Sequence, residues 1–179
     1  MPRERPPASE GSNLDQSIGS ASGHFKRSSH TVVSFTSDEG EVRYPAHLTW
    51  TCIRCANSCR DLPGRKRNIL LVPSDTKRIS SATKLTAQEF SLSSPGTVPY
   101  DRKMKKHKGK CIFLQGSRCS IYRARPLICR FYPFSLRSLS DGTLEVGFDP
   151  SCSGIGKGPS RGEKLFHDLV TLARKELGS

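Results

Sequence analysis

Seven cysteines in three groups constrain this chain of 179 residues more than any other feature of its sequence. The first two, Cys52 and Cys55, are separated by two residues, so that one tight turn can aim both sulfur atoms at the same ion. An odd number of cysteines argues against a complete set of internal disulfides, and clustered cysteines in a reducing compartment are typically metal ligands. We therefore predict that all seven bind metal. The predicted ligands are Cys52, Cys55, Cys59, Cys111, Cys119, Cys129 and Cys152.

The middle segment, residues 108–134, reads KGKCIFLQGSRCSIYRARPLICRFYPF and holds three of these cysteines. Its β-branched and aromatic residues predict two short strands, Cys111–Leu114 and Arg118–Tyr122, that are joined by a tight turn. A three-residue loop would place Cys111 directly opposite Cys119. Opposed Cβ atoms lie roughly 4.5 to 5.5 Å apart, so both sulfur atoms would reach one ion.

A helix is predicted immediately after this hairpin. Pro126 suits the first position of a helix, where its missing N–H costs nothing, and Cys129 then lies at the end of the first turn. The positive end of the helix dipole favours the thiolate form of Cys129. Basic neighbours favour it as well, and these are Arg123, Arg125 and Arg130.

These motifs, with C-x2-C-x3-C at Cys52 and CSGIG at Cys152, resemble the YkgJ-type cysteine-cluster family of zinc- or iron-chelating domains. The resemblance covers residues 50–158, and Ser58 departs from it by standing where the family has the first cysteine of an adjacent pair. A relative in that family, the flagellin lysine N-methylase, is regarded as an iron–sulfur protein. The resemblance therefore implies an iron–sulfur cluster, with [4Fe–4S] favoured, or Zn2+ as the alternative.

The sequence leaves the grouping of the thiols open. Seven thiols can form a four-thiolate and a three-thiolate site, or one four-thiolate site with three spare thiols. We expect Cys52 to share a site with Cys55, and Cys111 to share one with Cys119. A helical turn would also bring Cys59 to the same side as Cys55.

The missing eighth thiol leaves either an open coordination position or one that another group fills. An open position is what catalysis needs, whereas a closed site is structural. The candidates to fill it are the hydroxyl of Ser58, the imidazole of His107 or His47, and water.

The composition predicts an α+β fold: one small, irregular, metal-stabilised domain of short hairpins and short helices. Only 34% of the residues are hydrophobic, and 15 Gly and 12 Pro argue against a large core. We predict a disordered N-terminal tail over residues 1–28 and the cysteine-cluster domain over residues 29–179. The expected elements are hairpins at 31–44 and 135–149, a buried strand at 68–72, a helix capped by Ser74 or Asp75, a helix opened by a capping box at Thr86–Glu89, a loop at 91–99, and an amphipathic helix from a capping box at Ser160–Glu163 to Leu177.

The net charge of +13 permits other functions beside metal binding. Such a charge attracts polyanions, so a basic nucleic-acid-binding zinc module is one alternative. The six basic residues in 102–110 either protect a sheet edge or bind phosphate. A metal-dependent protein-modifying enzyme related to the methylase is another alternative, although no nucleotide-binding glycine motif or acid–base pair stands out.

The expected location is the cytoplasm. No apolar run approaches the length of a membrane span, and the N-terminus lacks the core of a signal peptide. We expect a metal-binding protein with a metal ion or cluster as its ligand, a redox or protein partner, and no membrane partner.

Overall fold

The computed structural model describes residues 31–38 and 40–178, so the predicted disordered tail, 1–28, lies outside the described residues. Within that range the fold is a mixed α/β arrangement of short strands and a few helices. The strands are β1 (Val32–Ser37), β2 (Gly40–Pro45), β3 (Thr49–Trp50), β4 (Leu70–Leu71), β5 (Ser91–Thr97), β6 (Tyr100–Met104), β7 (Lys106–His107), β8 (Lys110–Cys111), β9 (Leu114–Gln115), β10 (Arg118–Cys119), β11 (Phe134–Ser138), β12 (Leu144–Phe148) and β13 (Ile155–Ser160). The helices are α1 (Pro73–Thr83), α2 (Ala87–Phe90), α3 (Leu127–Phe131) and α4 (Glu163–Leu177), with 3-10 turns at Asn57–Cys59 and Tyr122–Ala124.

Both predicted hairpins are confirmed, and together they form one four-stranded sheet in the order β1-β2-β12-β11. β1 pairs with β2 in antiparallel register, with Ser37 opposite Gly40, and β11 pairs with β12 in the same way. The two hairpins join because β2 and β12 run parallel, with Val42 opposite Leu144. Two segments about a hundred residues apart in sequence thus share one hydrophobic face.

Helix α4 packs its apolar stripe against this sheet, as predicted. Phe166 is fully buried, and its ring centroid lies 4.8 Å from that of Tyr44 and 5.5 Å from that of Phe134. The predicted capping box at the start of this helix is wrong. Gly162 is the N-cap, and Ser160 instead lies in β13, opposite Thr49, because its backbone is used in sheet pairing.

A second, three-stranded sheet has the order β4-β6-β5 and contains the predicted buried strand at 68–72. The segment 91–99 was predicted to be a loop, but most of it forms β5, antiparallel to β6. A strand tolerates Pro95 and Gly96 here because β5 is an edge strand whose register shifts between Ser93 and Thr97.

The charged strand β6 is the central strand of that sheet. The basic residues Arg102 and Lys103 therefore do not protect a sheet edge, so this interpretation is wrong for these two residues of the segment. Arg102 instead donates from Nε to the hydroxyl of Ser91 at 2.6 Å.

Apolar side chains of this sheet and the segments beside it form a second core, separate from the one under α4. Its buried members are Ile69, Leu71, Ile79, Phe90, Met104, Cys111, Phe113, Ile121 and Ala124. Cys59, Cys119 and Cys129 are partly buried and pack against this core. The middle cysteines therefore belong to the hydrophobic interior of the smaller sheet.

Helix α1 begins differently from the prediction. Val72 is its N-cap, and Asp75 is the third residue of the helix, with a fully buried side chain. The Asp75 carboxylate accepts the backbone N–H of Val72 at 3.2 Å. Asp75 thus satisfies a free N–H at the helix start, as expected, but from inside the helix. The capping box at Thr86 and Glu89 is confirmed, because Thr86 N–H donates to Glu89 at 2.6 Å.

No helix among residues 31–38 and 40–178 is long and apolar enough to cross a membrane.

Candidate metal centre

Cys111 and Cys119 have matching local structure. Each is the second residue of a two-residue strand, β8 or β10, and each is followed directly by a turn. The predicted register between them is wrong, because Cys119 lies opposite Leu114 and Cys111 lies opposite Lys106. A turn at residues 112 and 113 interrupts the expected strand, so Cys111 belongs to the β7–β8 hairpin and Cys119 to the β9–β10 hairpin.

Each of these two turns directs a backbone N–H at its cysteine sulfur. The N–H donors belong to Phe113 and Ile121, each two residues after its cysteine, and each lowers the pKa of that thiol. The turns are tied together because Ser120 donates to the Phe113 carbonyl from its N–H at 2.9 Å and from its hydroxyl at 3.1 Å. Backbone N–H groups directed at cysteine sulfur are a usual feature of metal–thiolate sites.

The chain just after Cys59 pairs with the same hairpin. Arg60 lies opposite Lys110 in an antiparallel bridge, and the N–H of Asp61 donates to the carbonyl of Gly109 at 2.8 Å. Cys59 closes the 3-10 turn before this pairing, where its N–H donates to the carbonyl of Ala56. The predicted helical turn joining Cys55 to Cys59 is absent between these residues, because Ala56 adopts a left-handed backbone conformation.

Helix α3 brings in the fourth sulfur. Cys129 lies in the first turn of α3, as predicted, although Pro126 is the N-cap and precedes the first helical residue. Pro126 offers no capping side chain, so the first helical N–H, that of Leu127, donates at 2.9 Å to the buried carboxylate of Asp75. A carboxylate from α1 thereby fixes the start of α3, two residues before Cys129.

Arg130, the residue after Cys129, is held by a contact with α4. Arg130 forms an ion pair with Glu176 near the end of α4, and Glu176 also accepts from the guanidinium of Arg78 at 3.1 Å and the hydroxyl of Ser74 at 2.5 Å. Burial alone would raise the pKa of Glu176, but the Ser74 hydroxyl and the two arginines lower it to about 2. An ionised Glu176 thus ties α1, α3 and α4 together beside the cysteines.

Burial and the nearby sulfur atoms raise the pKa values of the thiols of Cys111, Cys119 and Cys129. Burial raises the pKa of Cys111 to about 11 and that of Cys129 well above its ordinary value. The nearby sulfur atoms raise the pKa of Cys129 further, and they belong to Cys59, Cys111 and Cys119. Burial thus opposes the thiolate form of Cys129 that the helix dipole and the arginines were expected to favour. The four cysteines, each from a different element, lie in or against the same core.

The four thiols lie near one another but are not drawn tightly together. In the part of the chain that the structure describes, no three His, Cys, Asp or Glu side chains are grouped so that they could hold one ion. A metal ion deprotonates the thiols that bind it and attracts all of them. The donor set fits a soft metal centre, because it consists of sulfur atoms with N–H groups directed at two of them.

The remaining three cysteines lie at the other end of the 52–59 loop. β3 pairs with β13, with Trp50 opposite Ile155, and the N–H of Thr51 donates to the carbonyl of Gly154 at 3.2 Å. This register brings the chain just before Cys52 to the segment just after Cys152. Cys52 is exposed, Cys55 is half-buried and Cys152 is buried.

Gly154 makes this approach of the two chains possible. A Cβ atom at Gly154 would lie 2.1 Å from the carbonyl oxygen of Thr51, so any side chain here would force the strands apart. Trp50 packs against the four-stranded sheet, with its ring centroid 5.2 Å from that of Phe134. Cys152 in turn lies within hydrogen-bond reach of the Tyr132 hydroxyl, which also accepts from Arg67 at 3.4 Å.

The candidates for the eighth ligand have different positions. The Ser58 hydroxyl lies 3.7 Å from the Cys59 sulfur. The side chains of His47 and His107 are both exposed. Sequence reasoning missed Glu176 altogether and took Asp75 for a local cap, since neither shows a spacing signal that points to α3.

Residues 51–153, more than half of the chain, match the model of the CxxCxxCC family, described as "Putative zinc- or iron-chelating domain". The class defined by the fold and the cysteine sites is therefore a cysteine-rich metal-chelating domain. The chain belongs to the CxxCxxCC zinc- or iron-chelating family, as the sequence motifs implied.

Two relatives in Methanocaldococcus jannaschii are similar to most of the chain. The first, Uncharacterized protein MJ0661, is 29% identical over 138 residues, which are 73% of this chain and 71% of that protein. The second, Uncharacterized protein MJ0939, is 28% identical over 133 residues, which are 72% of this chain but only 44% of that protein. No solved structure matches the chain.

Proposed function

We propose that the protein binds metal at a four-sulfur site built by Cys59, Cys111, Cys119 and Cys129. The observation that carries this proposal is that these four cysteines, which come from four separate elements, all lie in or against the second core. They are positioned against the second core, so a metal bound there would hold β8, β10 and α3 to one another. We propose that the metal thereby stabilises a single unit formed by residues 29–179.

The other three cysteines form a second, three-sulfur group in this proposal. The register of β3 with β13 supports placing Cys52 with Cys152, and the two-residue spacing adds Cys55. Ser58 stands at the position that would supply a fourth sulfur. The second site therefore has an open position, which leaves room for water or a substrate atom.

For the four-sulfur site we favour an iron–sulfur cluster over zinc. Four thiolates suit either, and a cluster would supply one-electron redox chemistry there. The support for iron is the analogy with the iron–sulfur methylase relative, together with N–H groups directed at Cys111 and Cys119 that would hydrogen-bond to anionic sulfur. All seven cysteines are free of disulfides, which is consistent with a reducing compartment, and we propose the cytoplasm.

The test begins with protein purified without oxygen, in which iron, sulfide and zinc are measured together with the visible absorption spectrum. A broad brown absorption with iron and sulfide would identify a cluster, and stoichiometric zinc without colour would identify a zinc site. Protein that contains no stoichiometric metal and folds identically in chelator would contradict the proposal.

A matched pair of variants tests the grouping. Cys119→Ser removes one sulfur from the four-sulfur site, and we expect it to lose the metal of that site. Cys52→Ser removes one from the three-sulfur group, so the spectrum and metal of the four-sulfur site should be retained. Equal losses in the two variants would contradict the division into four and three.

A further inference from the structure

A row of basic side chains lies on the outer face of the strands that carry the cysteines. Lys110 is directly opposite Arg60 on one side and opposite His107 on the other. Directly opposed residues share one face of a sheet, so these three side chains stand together, and we call them the basic row. Successive residues alternate between faces, so Cys111 turns inward and is buried while Lys110 is exposed.

The turn beside the basic row adds another cation at a conformational cost. Lys108 and Gly109 form the two-residue turn between β7 and β8, and both have positive φ, 46° and 74°. Such turns strongly prefer Asn-Gly, since a lysine in the left-handed region is strained. The chain thus carries an exposed lysine at the tip of the hairpin where an asparagine would be more stable.

Acidic groups do not neutralise these cations. In the stretches 31–38 and 40–178, Arg60, Lys108 and Lys110 make no ion pair, and the Nε of Arg60 is buried without a hydrogen-bond partner. The adjacent acid, Asp61, is engaged elsewhere, because it accepts from Lys106 at 2.5 Å and from the backbone N–H of Arg67 at 2.7 Å. Like charges directly opposite each other destabilise a sheet, so the basic row lowers the stability of the fold unless an anion binds it.

The neighbouring surface favours a protein over a nucleic acid as the anion. Single-stranded nucleic acid binds through exposed aromatic rings, but Tyr122 is the only exposed Phe, Tyr or Trp side chain among the residues that the structure describes. The guanidinium of Arg125 covers its ring at 4.0 Å. Ile112, next to Cys111, is 37% exposed and offers an apolar contact beside the row. We propose that the basic row and Lys108 dock a protein partner that presents clustered carboxylates around an apolar side chain.

This partner would be bound one residue away from two sulfur atoms of the proposed site, since Arg60 follows Cys59 and Lys110 precedes Cys111. The inference rests on the proposed function, because the partner would bind directly beside the proposed metal centre. Electrostatic complementarity of this kind mainly increases the association rate and depends strongly on salt.

The experiment measures binding of a short fluorescein-labelled peptide in which Glu alternates with Leu, by fluorescence anisotropy at low and physiological salt. The test variant combines Lys108→Asn with Lys110→Gln, and the control combines Lys164→Gln with Lys175→Gln on the exposed face of α4, which changes the net charge equally. We expect the test variant to weaken binding about tenfold and the control to weaken it less than about twofold. Lys108→Asn alone should raise the melting temperature while it weakens binding, because Asn-Gly suits the turn.

Three results would overturn the inference: no peptide binding even at low salt, equal weakening in both double variants, or tighter binding of a single-stranded oligothymidylate of equal charge that depends on the same row. Metal content measured on the same samples separates this inference from the proposed function. Row-dependent binding by protein without stoichiometric metal would leave the docking surface intact and refute the metal centre. Metal-loaded protein whose peptide binding does not depend on the basic row would refute the docking surface and leave the metal centre intact.

Discussion

The carboxylate of Asp75 accepts the backbone N–H of Leu127 at 2.9 Å, although the two residues are 52 positions apart in sequence. Through this bond the first turn of α1 caps the helix that carries Cys129. Asp75 is fully buried and also accepts from the N–H of Val72 and from Arg78. One side chain thus completes two helix starts and links the second core to the cysteine helix.

Removing this carboxylate should therefore be costly. We expect Asp75→Ala to lower the free energy of unfolding by about 3 to 5 kcal/mol, because two buried N–H groups and Arg78 lose their partner. Urea denaturation measures the change. Thr76→Ala is the control, since the buried Thr76 hydroxyl has no hydrogen-bond partner in the described structure and its loss should cost nothing. Equal losses in the two variants would contradict this role of Asp75.

The same carboxyl should make stability depend on pH. Burial raises the pKa of Asp75 from 3.8 to about 6, and the Val72 N–H, Arg78 and the Leu127 N–H offset only part of this. A raised folded-state pKa stabilises the protein fully below the unfolded value, and the contribution is lost as pH rises through about 6. The shift corresponds to roughly 3 kcal/mol.

Denaturation of the wild type and Asp75→Asn between acid and neutral pH tests this. The difference in unfolding free energy between the two proteins should change in favour of the variant as pH rises, because asparagine does not ionise. A difference that stays constant over this range would show that the pKa of Asp75 is the same in the folded and the unfolded protein.

Glu176 should have the opposite pH dependence. Its pKa is lowered from 4.5 to about 2 by Ser74 and by Arg130 and Arg78, against the effect of burial. Its contribution is present above pH 4.5 and is lost as pH falls through about 2. We expect Glu176→Gln to lower the unfolding free energy at neutral pH by about 2 kcal/mol and to reduce the loss of stability in acid.

A suitable control for Glu176 lies on the same helix. Asp168 pairs with Lys164 at 3.2 Å, and both side chains are more than half exposed, at 58% and 89%. Asp168→Asn should change stability by less than about 0.5 kcal/mol, because exposed pairs are well screened. Thermal denaturation of both variants at neutral and acid pH checks the comparison, and equal effects would argue against the buried network.

The close contact between Gly154 and Thr51 predicts that a single methyl group added at position 154 lowers the stability of the protein. We expect Gly154→Ala to destabilise the protein by about 2 to 4 kcal/mol and to disturb the three-sulfur group, because the backbone of β3 would have to move. Gly162→Ser is the control. That site has open space around it and serves as an N-cap, so serine should stabilise the helix slightly.

Chemical denaturation and metal content together measure the Gly154 effect. Loss of metal from the three-sulfur group with retention at the four-sulfur site would match the expectation. Full stability of Gly154→Ala would show that the two strands do not pack as closely as described.

Local patterns predicted the elements that local chemistry controls. The hairpins at 31–44 and 135–149 follow from alternating apolar residues and turn residues, and the stripe of α4 follows from its helical period. The Thr86–Glu89 capping box involves only neighbours in sequence, so it too was predictable. The cysteine motifs were sufficient to identify the family.

Other features depend on partners that are distant in sequence. The segment 91–99 contains an edge strand because β6 supplies hydrogen bonds to it. Ser160 does not cap α4, because it pairs with β3. The register between Cys111 and Cys119 failed for a related reason, since a turn at residues 112 and 113 is tied to Ser120 by tertiary hydrogen bonds.

The sequence by itself determined that seven thiols, with sulfur-ligand spacing and one serine in place of an eighth, would belong to a metal-chelating domain. Only the tertiary structure decided which of the cysteine-bearing segments lie side by side, because β3 pairs with β13 and Arg60 pairs with Lys110. It also decided that Asp75 and Glu176 position α3. These contacts depend on how separate elements pack, and packing is set by burial and hydrogen bonding over the whole chain, which no local spacing encodes.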